Sequence, residues 1–166
     1  IFKPGDEVIA LPSGFTSKIK SIQNYQEEIE EAFQPISVTM TLEDDIDISR
    51  GDMICKPDNQ PNVGQDIELM VCWLNKEPLK VGGKYSIKHT TKDARCIIKE
   101  VKYKVNINTL HRLEGDTNIG LNDIGRIKIR TTDPLFYDSY SKNRSTGSLI
   151  IVDEFNNNTV GAGMIL

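Results

Sequence analysis

Alternation of apolar and polar side chains with a period of two is the feature that most constrains this chain. In residues 101–107 apolar side chains alternate with Lys102, Lys104 and Asn106, and in 126–130 two isoleucines alternate with basic side chains. Successive side chains of a β-strand point to opposite faces, so this pattern predicts strands with one buried face. Comparable short segments separated by turn residues lie at 7–11, 18–22, 37–42, 66–74, 84–89, 93–101, 147–155 and 160–166. About ten short strands predict an all-β protein of the barrel or sandwich type.

One segment has a composition that favours a helix. Residues 26–33, QEEIEEAF, are rich in glutamate, but they span only about two turns, which is too short for a helix to hold by itself. We therefore expect an exposed acidic loop there.

The run CKPDNQPNVGQD at 55–66 is the stretch richest in turn-forming and polar residues, with two prolines and a glycine. Such a composition is typical of linkers. It predicts a linker at 58–65 that divides an N-terminal unit, 1–57, from a larger unit, 66–166.

Composition excludes several classes of protein. The 166 residues carry a formal charge of −4, with 38% hydrophobic and 27% charged residues, which predicts a globular rather than a disordered chain. The acidic balance gives no chain-wide attraction to nucleic acid or anionic membranes, and no apolar run approaches the length of a membrane span. The odd number of cysteines, three, predicts buried thiols in the reducing cytoplasm rather than disulfides, and their spacing matches no metal-binding motif.

The motifs of nucleotide binding and catalysis are not matched. The string PLKVGGKY at 78–85 has Pro78 where a phosphate-binding loop needs its first glycine, so it predicts a hairpin turn. Gly161 and Gly163 predict a closely packed last strand, and the acidic run at 43–47 predicts a solvated turn. His89 and His111 flank predicted strands, and both are expected to be structural or surface residues rather than catalytic bases. The sequence thus predicts no catalytic, cofactor-binding or metal-binding residue.

The densest polar and aromatic run is 134–147, and its candidate functional residues are Asp138, Tyr140, Asn143, Arg144 and Thr146. Aromatic side chains interleaved with arginine and aspartate are typical of protein interfaces and of rigid hydrogen-bonded corners. Both interpretations stay open from the residues alone. Stacking of Tyr140 on RNA is a third alternative, but only Lys142 and Arg144 are basic in this run.

This run also carries a family resemblance. The string FYDSYSKNRSTGSLIIVDEFNNNTVGAGMI at 136–165 resembles the C-terminal signature of the large, GTP-binding subunit of bacterial two-subunit sulfate adenylyltransferase. Collinear agreement extends over 3–22, 31–54, 84–110 and 121–138. The layout is similar to that of the translational GTPases, which include elongation factors Tu and 1-alpha.

The resemblance implies a GTPase domain followed by two β-barrels in tandem. We therefore expect a partial, domain II-like first barrel at 1–57 and a domain III-like second barrel at 66–166. The chain lacks the nucleotide motifs, so the resemblance assigns GTP and Mg²⁺ to an N-terminal domain that is missing here. It also implies a start one or two strands into the first barrel, which leaves an unpaired edge.

In the family, the small catalytic subunit transfers the adenylyl group of ATP to sulfate, giving adenosine 5′-phosphosulfate and pyrophosphate, and GTP hydrolysis on the large subunit drives that step. The resemblance implies that these barrels couple the GTPase domain to the small subunit, with the five residues of 138–146 as a partner or interdomain surface. The isolated fragment is expected to be inactive. The alternative is a tRNA-binding barrel pair of an elongation factor, and the net charge of −4 argues against it.

Overall fold

The computed structural model of the chain describes all 166 residues, and they form twelve β-strands and no helix. The all-β prediction is confirmed. The chain divides into two compact units, Ile1–Gln60 and Pro61–Leu166. The first unit contains β1 (Glu7–Leu11), β2 (Thr16–Asn24), β3 (Glu27–Glu28), β4 (Thr39–Leu42) and β5 (Met53–Cys55). The second contains β6 (Asn62–Trp73), β7 (Lys84–His89), β8 (Lys92–Val105), β9 (Arg112–Leu113), β10 (Ile124–Tyr137), β11 (Ser148–Val152) and β12 (Thr159–Ile165).

The first unit is an antiparallel sheet in the order β3-β2-β1-β5, with β4 also paired to β2. Its strand β2 shows the predicted alternation, since Ile19 is buried between the exposed Lys18 and Lys20. The buried core is small and consists of Val8, Ile19, Ile22 and Ala32.

The glutamate-rich segment 26–33 is not helical, as expected, but it is more ordered than a loop. Glu27 and Glu28 form β3 against β2, and Ile29 donates its backbone N–H to the carbonyl of Ile22 at 2.9 Å. Tyr25 makes the preceding turn with a φ of 56°. Cross-strand hydrogen bonds therefore satisfy the backbone of this segment, which a two-turn helix would have left largely to water.

The second unit is a closed barrel of six antiparallel strands. The order is β10-β6-β12-β11-β7-β8, and β8 pairs with β10 to close the ring, while β9 adds to β8 outside it. Strands β8 and β10 are 14 residues long, and their ladder contains register shifts that let long strands bend around a barrel. The inward-facing side chains fill the interior with Trp73, Tyr85 and mostly isoleucine, leucine and valine.

Two strand predictions differ from the structure. The segments 93–101 and 101–107 form a single strand, β8, which ends at Val105, so Ile107 lies exposed in the following turn. Strand β6 begins at Asn62, so residues 62–65 of the predicted linker belong to the barrel. They are held there because Asn62–Gly64 pair with 135–137 of β10 beyond a bulge.

The glycines of the last strand pack as predicted. A Cβ atom on Gly163 would lie 2.7 Å from Cδ1 of Leu69, and one on Gly161 would lie 3.2 Å from the ring of Trp73. Strand β12 therefore approaches the core side chains of β6 so closely that positions 161 and 163 have little room for a side chain.

The three cysteines are free thiols. Cys55 and Cys96 are buried as predicted, and burial raises the pKa of Cys96 to about 12. Cys72 is only half-buried, because Val71 and Trp73 on either side of it take the inward positions of β6. The structure has no helix with the length and apolarity needed to cross a membrane.

Candidate functional site

The five predicted site residues lie together in residues 138–147, which connect β10 to β11 and which we call the corner loop. Asp138 is buried, and its carboxylate accepts two hydrogen bonds, from Nζ of Lys142 at 2.7 Å and from Oγ1 of Thr146 at 2.9 Å. Burial acts to raise the pKa of Asp138, but these two donors outweigh it and the pKa lies below its ordinary value. Asp138 therefore stays ionised and ties the two ends of the corner loop together.

The backbone of the corner loop folds back on itself. Asn143 donates its N–H to the carbonyl of Ser139 at 3.0 Å, and Gly147 donates to the carbonyl of Asn143 at 2.8 Å. A Cβ atom on Gly147 would lie 2.5 Å from Cα of Tyr140 and 2.6 Å from the carbonyl oxygen of Asn143. Position 147 thus requires glycine, because the obstructing atoms are backbone and have no room to give way.

Three hydrogen bonds anchor the corner loop to the barrel. Tyr140 donates its N–H to the carbonyl of Ile165 at 2.8 Å, and Ile165 donates in return to the carbonyl of Gly147 at 2.7 Å. Nε2 of His89, at the end of β7, lies 2.7 Å from the carbonyl oxygen of Thr146. A carbonyl only accepts, so the geometry assigns a proton to Nε2.

His89 has a structural role, one of the two alternatives that the sequence left open for it, because it anchors the corner loop to β7. It is 1% exposed, and burial lowers its pKa, although the hydrogen bond to Thr146 acts in the opposite direction. The period-two pattern contains the signal, since Tyr85, Ile87 and His89 occupy successive inward positions of β7. His111 by contrast is exposed.

The predicted site residues divide into two groups. Asp138 and Thr146 hold the corner loop in shape. Asn143 and Arg144 are exposed, and the Arg144 guanidinium lies 5.8 Å from the centre of the Tyr140 ring, which is half-buried. The loop is therefore a rigid corner that presents an arginine stacked on an aromatic ring to solvent.

The acidic run at 43–47 has a structural role at one position. Asp44 accepts a hydrogen bond from Oγ of Ser17 at 2.8 Å and donates its N–H to the same oxygen at 3.1 Å. This reciprocal pair fixes the run to strand β2, and the other carboxylates of the run are exposed. No group of three or more histidine, cysteine, aspartate or glutamate side chains in the chain has an arrangement that could hold a metal ion.

The turn at 78–85 does not fit a nucleotide. A phosphate-binding loop uses free backbone N–H groups, but Gly82 donates its N–H to the carbonyl of Ile98 at 2.8 Å and Gly83 donates to that of Lys80 at 2.9 Å. The first of these bonds ties the turn to β8, the second closes the turn itself, and Lys84 begins β7. Neither glycine has a free N–H group for a phosphate.

Comparison with known proteins gives the family. Residues 66–166 match the model described as GTP-eEF1A C-terminal domain-like. The whole chain is 45% identical to sulfate adenylyltransferase subunit 1 of Bacteroides thetaiotaomicron and 44% identical to the bifunctional enzyme CysN/CysC of Mycobacterium tuberculosis. It spans 36% and 27% of the lengths of these relatives.

The fold has a solved counterpart in the crystal structure of sup35 complexed with GDP. The TM-score is 0.87 over 99% of this chain and 41% of that chain, at 15% sequence identity, so this likeness concerns the fold alone. The relatives that match this chain over its whole length confirm the resemblance found in the sequence. The chain belongs to the GTP-eEF1A C-terminal domain-like family, and over its full length it is related to sulfate adenylyltransferase subunit 1.

Proposed function

We propose that this chain is the C-terminal β-barrel portion of the large subunit of GTP-dependent sulfate adenylyltransferase. The observation that carries the proposal is the similarity over the whole chain to sulfate adenylyltransferase subunit 1 at 45% identity. The parent enzyme converts ATP and sulfate to adenosine 5′-phosphosulfate and pyrophosphate at the expense of GTP. It acts in the cytoplasm, which agrees with the three free thiols.

In this assignment the chain supplies no catalytic residue. GTP and Mg²⁺ bind the N-terminal domain of the parent protein, and adenylyl transfer takes place on the small catalytic subunit. The hydrogen-bonded amides of Gly82 and Gly83 support this division, because the glycines that most resemble a phosphate loop have no free N–H group.

The role left to the barrels is coupling. GTP hydrolysis drives adenylyl transfer only if the small subunit interacts differently with the two nucleotide states of the large subunit. A closed barrel with a packed interior moves as a rigid body and does not absorb displacement in its own deformation. The hydrogen-bonded corner loop is rigid in the same way, so a side chain exposed on it moves together with the whole barrel.

The corner loop is our candidate for the partner or interdomain contact. Arginine and tyrosine are the residue types most enriched at the energetic centres of interfaces, and Arg144 stacks on Tyr140 beside the exposed Asn143. Asp138 and Thr146 act as positioning residues, since their hydrogen bonds hold the loop that presents this pair.

Titration calorimetry of the chain against the small catalytic subunit tests the proposal. We expect binding, and we expect Arg144→Ala to weaken it about tenfold at an unchanged melting temperature. Arg112→Ala is the matched control, because Arg112 is also exposed and stacks on a tyrosine, Tyr103, at 4.9 Å. The control variant should bind like the parent chain.

Two results would count against the proposal in different ways. If the folded chain does not bind the small subunit, the coupling role is wrong and the barrels are scaffold. If Arg144→Ala and Arg112→Ala behave alike while the parent chain binds, the coupling role stands and the corner loop is not the contact.

A further inference from the structure

The second unit contains a groove of about 480 Å³ in which four of the ten lining residues are basic. Its walls come from β7, β8 and β10, and its basic residues are Lys84, Arg95, Lys99 and Arg130. We call it the basic groove. None of its lining residues lies in the corner loop, so it is a second surface on the same barrel.

The strand register explains why these four cations meet. Ile97 of β8 is paired with Lys84 of β7 on one side and with Arg130 of β10 on the other. Arg95 and Lys99 lie two residues before and after Ile97 on its own strand. Adjacent strands are about 4.8 Å apart and alternate residues about 6.7 Å apart, so the four side chains leave the sheet around a single isoleucine.

The groove has fewer anions than cations. Arg95 is paired with Glu154 at 3.0 Å, and Arg130 with Asp66 at 2.8 Å. Lys84 and Lys99 form no ion pair in the structure. The groove thus already holds carboxylates of its own chain and retains two uncompensated ammonium groups.

One rim of the groove carries an exposed aromatic side chain. Glu154 lines the groove, and the next residue, Phe155, is 100% exposed. The turn is preformed, because the carboxylate of Asp153 accepts hydrogen bonds from the N–H groups of Phe155 at 2.8 Å and Asn156 at 3.2 Å. A partner that follows the groove past Glu154 would therefore meet an apolar ring on an ordered turn.

We propose that the basic groove binds an extended acidic segment of a protein partner, with Phe155 as an apolar contact at its rim. The inference goes beyond the coupling role, since it assigns a separate surface and requires no nucleotide. In an extended segment alternate side chains face the same way about 6.7 Å apart, which is close to the diagonal of about 8 Å that the strand spacings give between Lys84 and Lys99. Carboxylates at alternate positions then reach Lys84, which is paired with Ile97 across the sheet, and Lys99, which lies two residues after Ile97 on β8.

A protein segment suits the groove better than a small anion does. Small-ligand sites bury most of the ligand surface, whereas the side chains of Arg95 and Arg130 are 75% and 52% exposed. Single-stranded nucleic acid binds on several stacking aromatics, and the rim offers only Phe155 next to the groove. A partner that extends over the rim gains the contacts that the open groove lacks.

Fluorescence anisotropy with a labelled peptide of alternating glutamate and serine tests the proposal on the full chain. We expect the peptide to bind at low salt and the double variant Lys84→Glu/Lys99→Glu to lose at least tenfold in affinity. The matched control is Lys18→Glu/Lys20→Glu, which makes the same change in net charge at exposed positions of β2. The control should lose less than twofold, and melting curves establish that both variants are folded.

Further probes separate the alternatives. A peptide of the same composition with its glutamates in one block should bind less tightly, and Phe155→Ala should weaken only a version of the alternating peptide that carries a leucine at each end. Equal losses in the two double variants, or no peptide binding at all, would overturn the proposal. Tight binding of a single-stranded RNA of equal charge, without peptide binding, would assign the groove to nucleic acid instead.

Discussion

The two units of this chain are built from the same kind of strand but differ in how far they enclose a core. The core cluster of the second unit contains nineteen buried residues inside a closed barrel, while that of the first contains four under an open sheet. In a closed barrel each strand has two neighbours and the inward side chains are enclosed on all sides. Closure, rather than strand content, therefore concentrates stability in the second unit.

The units also differ in charge. Residues 1–60 carry 5 basic and 12 acidic side chains, a formal charge of −7, and residues 61–166 carry 15 and 12, a formal charge of +3. The two units have net charges of opposite sign, which the total of −4 does not show. Exposed charges interact over about 10 Å at ordinary ionic strength, so the local balance, not the total, determines what each surface attracts.

The largest expected effect tests the barrel core. Trp73 is 1% exposed, donates Nε1–H to the carbonyl of Glu77 at 2.8 Å and packs edge-on against Tyr85. Trp73→Ala should lower the free energy of unfolding by about 3–5 kcal/mol. Urea denaturation followed by far-UV circular dichroism gives the change.

Hydrogen exchange resolved by strand extends this test to the comparison itself. Trp73→Ala should reduce amide protection in β6 and β12, and Ile22→Ala, at a buried position of the first unit, should reduce protection in β1 and β2. If either variant removes protection equally from both units, the two units unfold as one and the contrast between them is wrong.

The next effect concerns the end of the barrel that the corner loop covers. Gly147→Ala places a methyl group within 2.6 Å of three backbone atoms and should cost about 1–3 kcal/mol of unfolding free energy. Gly115→Ala is the control, since nothing lies within 4 Å of its Cβ position, and it should change stability by less than about 0.5 kcal/mol. Equal denaturation midpoints for the two variants would show that the corner loop is not rigid.

A smaller effect is expected in the first unit. Ser17 is buried, and its hydroxyl both donates to and accepts from Asp44. Ser17→Ala should cost about 1 kcal/mol and increase amide exchange in 43–47. Ser37→Ala, at an exposed serine, should leave exchange there unchanged. An unchanged exchange rate in Ser17→Ala would mean that the acidic run is held by something other than this pair.

The smallest effect is a pH dependence of the barrel. Burial lowers the pKa of His89, so near pH 6.5, the ordinary value, the unfolded chain takes up a proton that the folded chain does not. Stability should therefore fall as pH drops from about 7 through 6.5 towards the lower pKa of the folded state. His89→Gln keeps an N–H donor but does not titrate.

Melting temperatures at pH 7.5 and 5.5 measure this dependence. The parent chain should lose more stability over that interval than His89→Gln does. Asp138 does not interfere, because its lowered pKa contributes stability that is lost only as pH falls below the ordinary aspartate value of about 3.9. Equal losses in the two proteins would exclude His89 as the origin of the slope.

Sequence alone was sufficient for the strands whose alternation is strong, and insufficient where a turn or a distant partner decides. Ile107 continues the alternation of β8 but lies in a turn, because the Asn106 carboxamide accepts N–H bonds from Asn108 and Thr109 and ends the strand. Residues 62–65 have the composition of a linker, yet they belong to β6, because 62–64 pair with β10. Local pattern gives way in each case to hydrogen bonds that satisfy the backbone.

The candidate site, too, was predictable from the sequence in part and depended on tertiary contacts for the rest. Composition was enough to select the run that contains Asp138 and Arg144, but not to separate the buried carboxylate that holds the loop from the arginine that it presents. The burial and the hydrogen-bond partners of the corner loop depend on which other segments pack against it. Here these are the segments that contain Ile165 and His89. Those contacts join segments far apart in sequence.

By itself, the sequence determined which side chains of each strand face inward, because a period of two follows from the geometry of a single strand. Only the tertiary structure decided that β8 closes onto β10, and with which register. That register places Arg130 opposite Ile97 and so creates the basic groove. The reason is that bulges and packing of the whole core set the pairing between distant strands, and no local pattern encodes them.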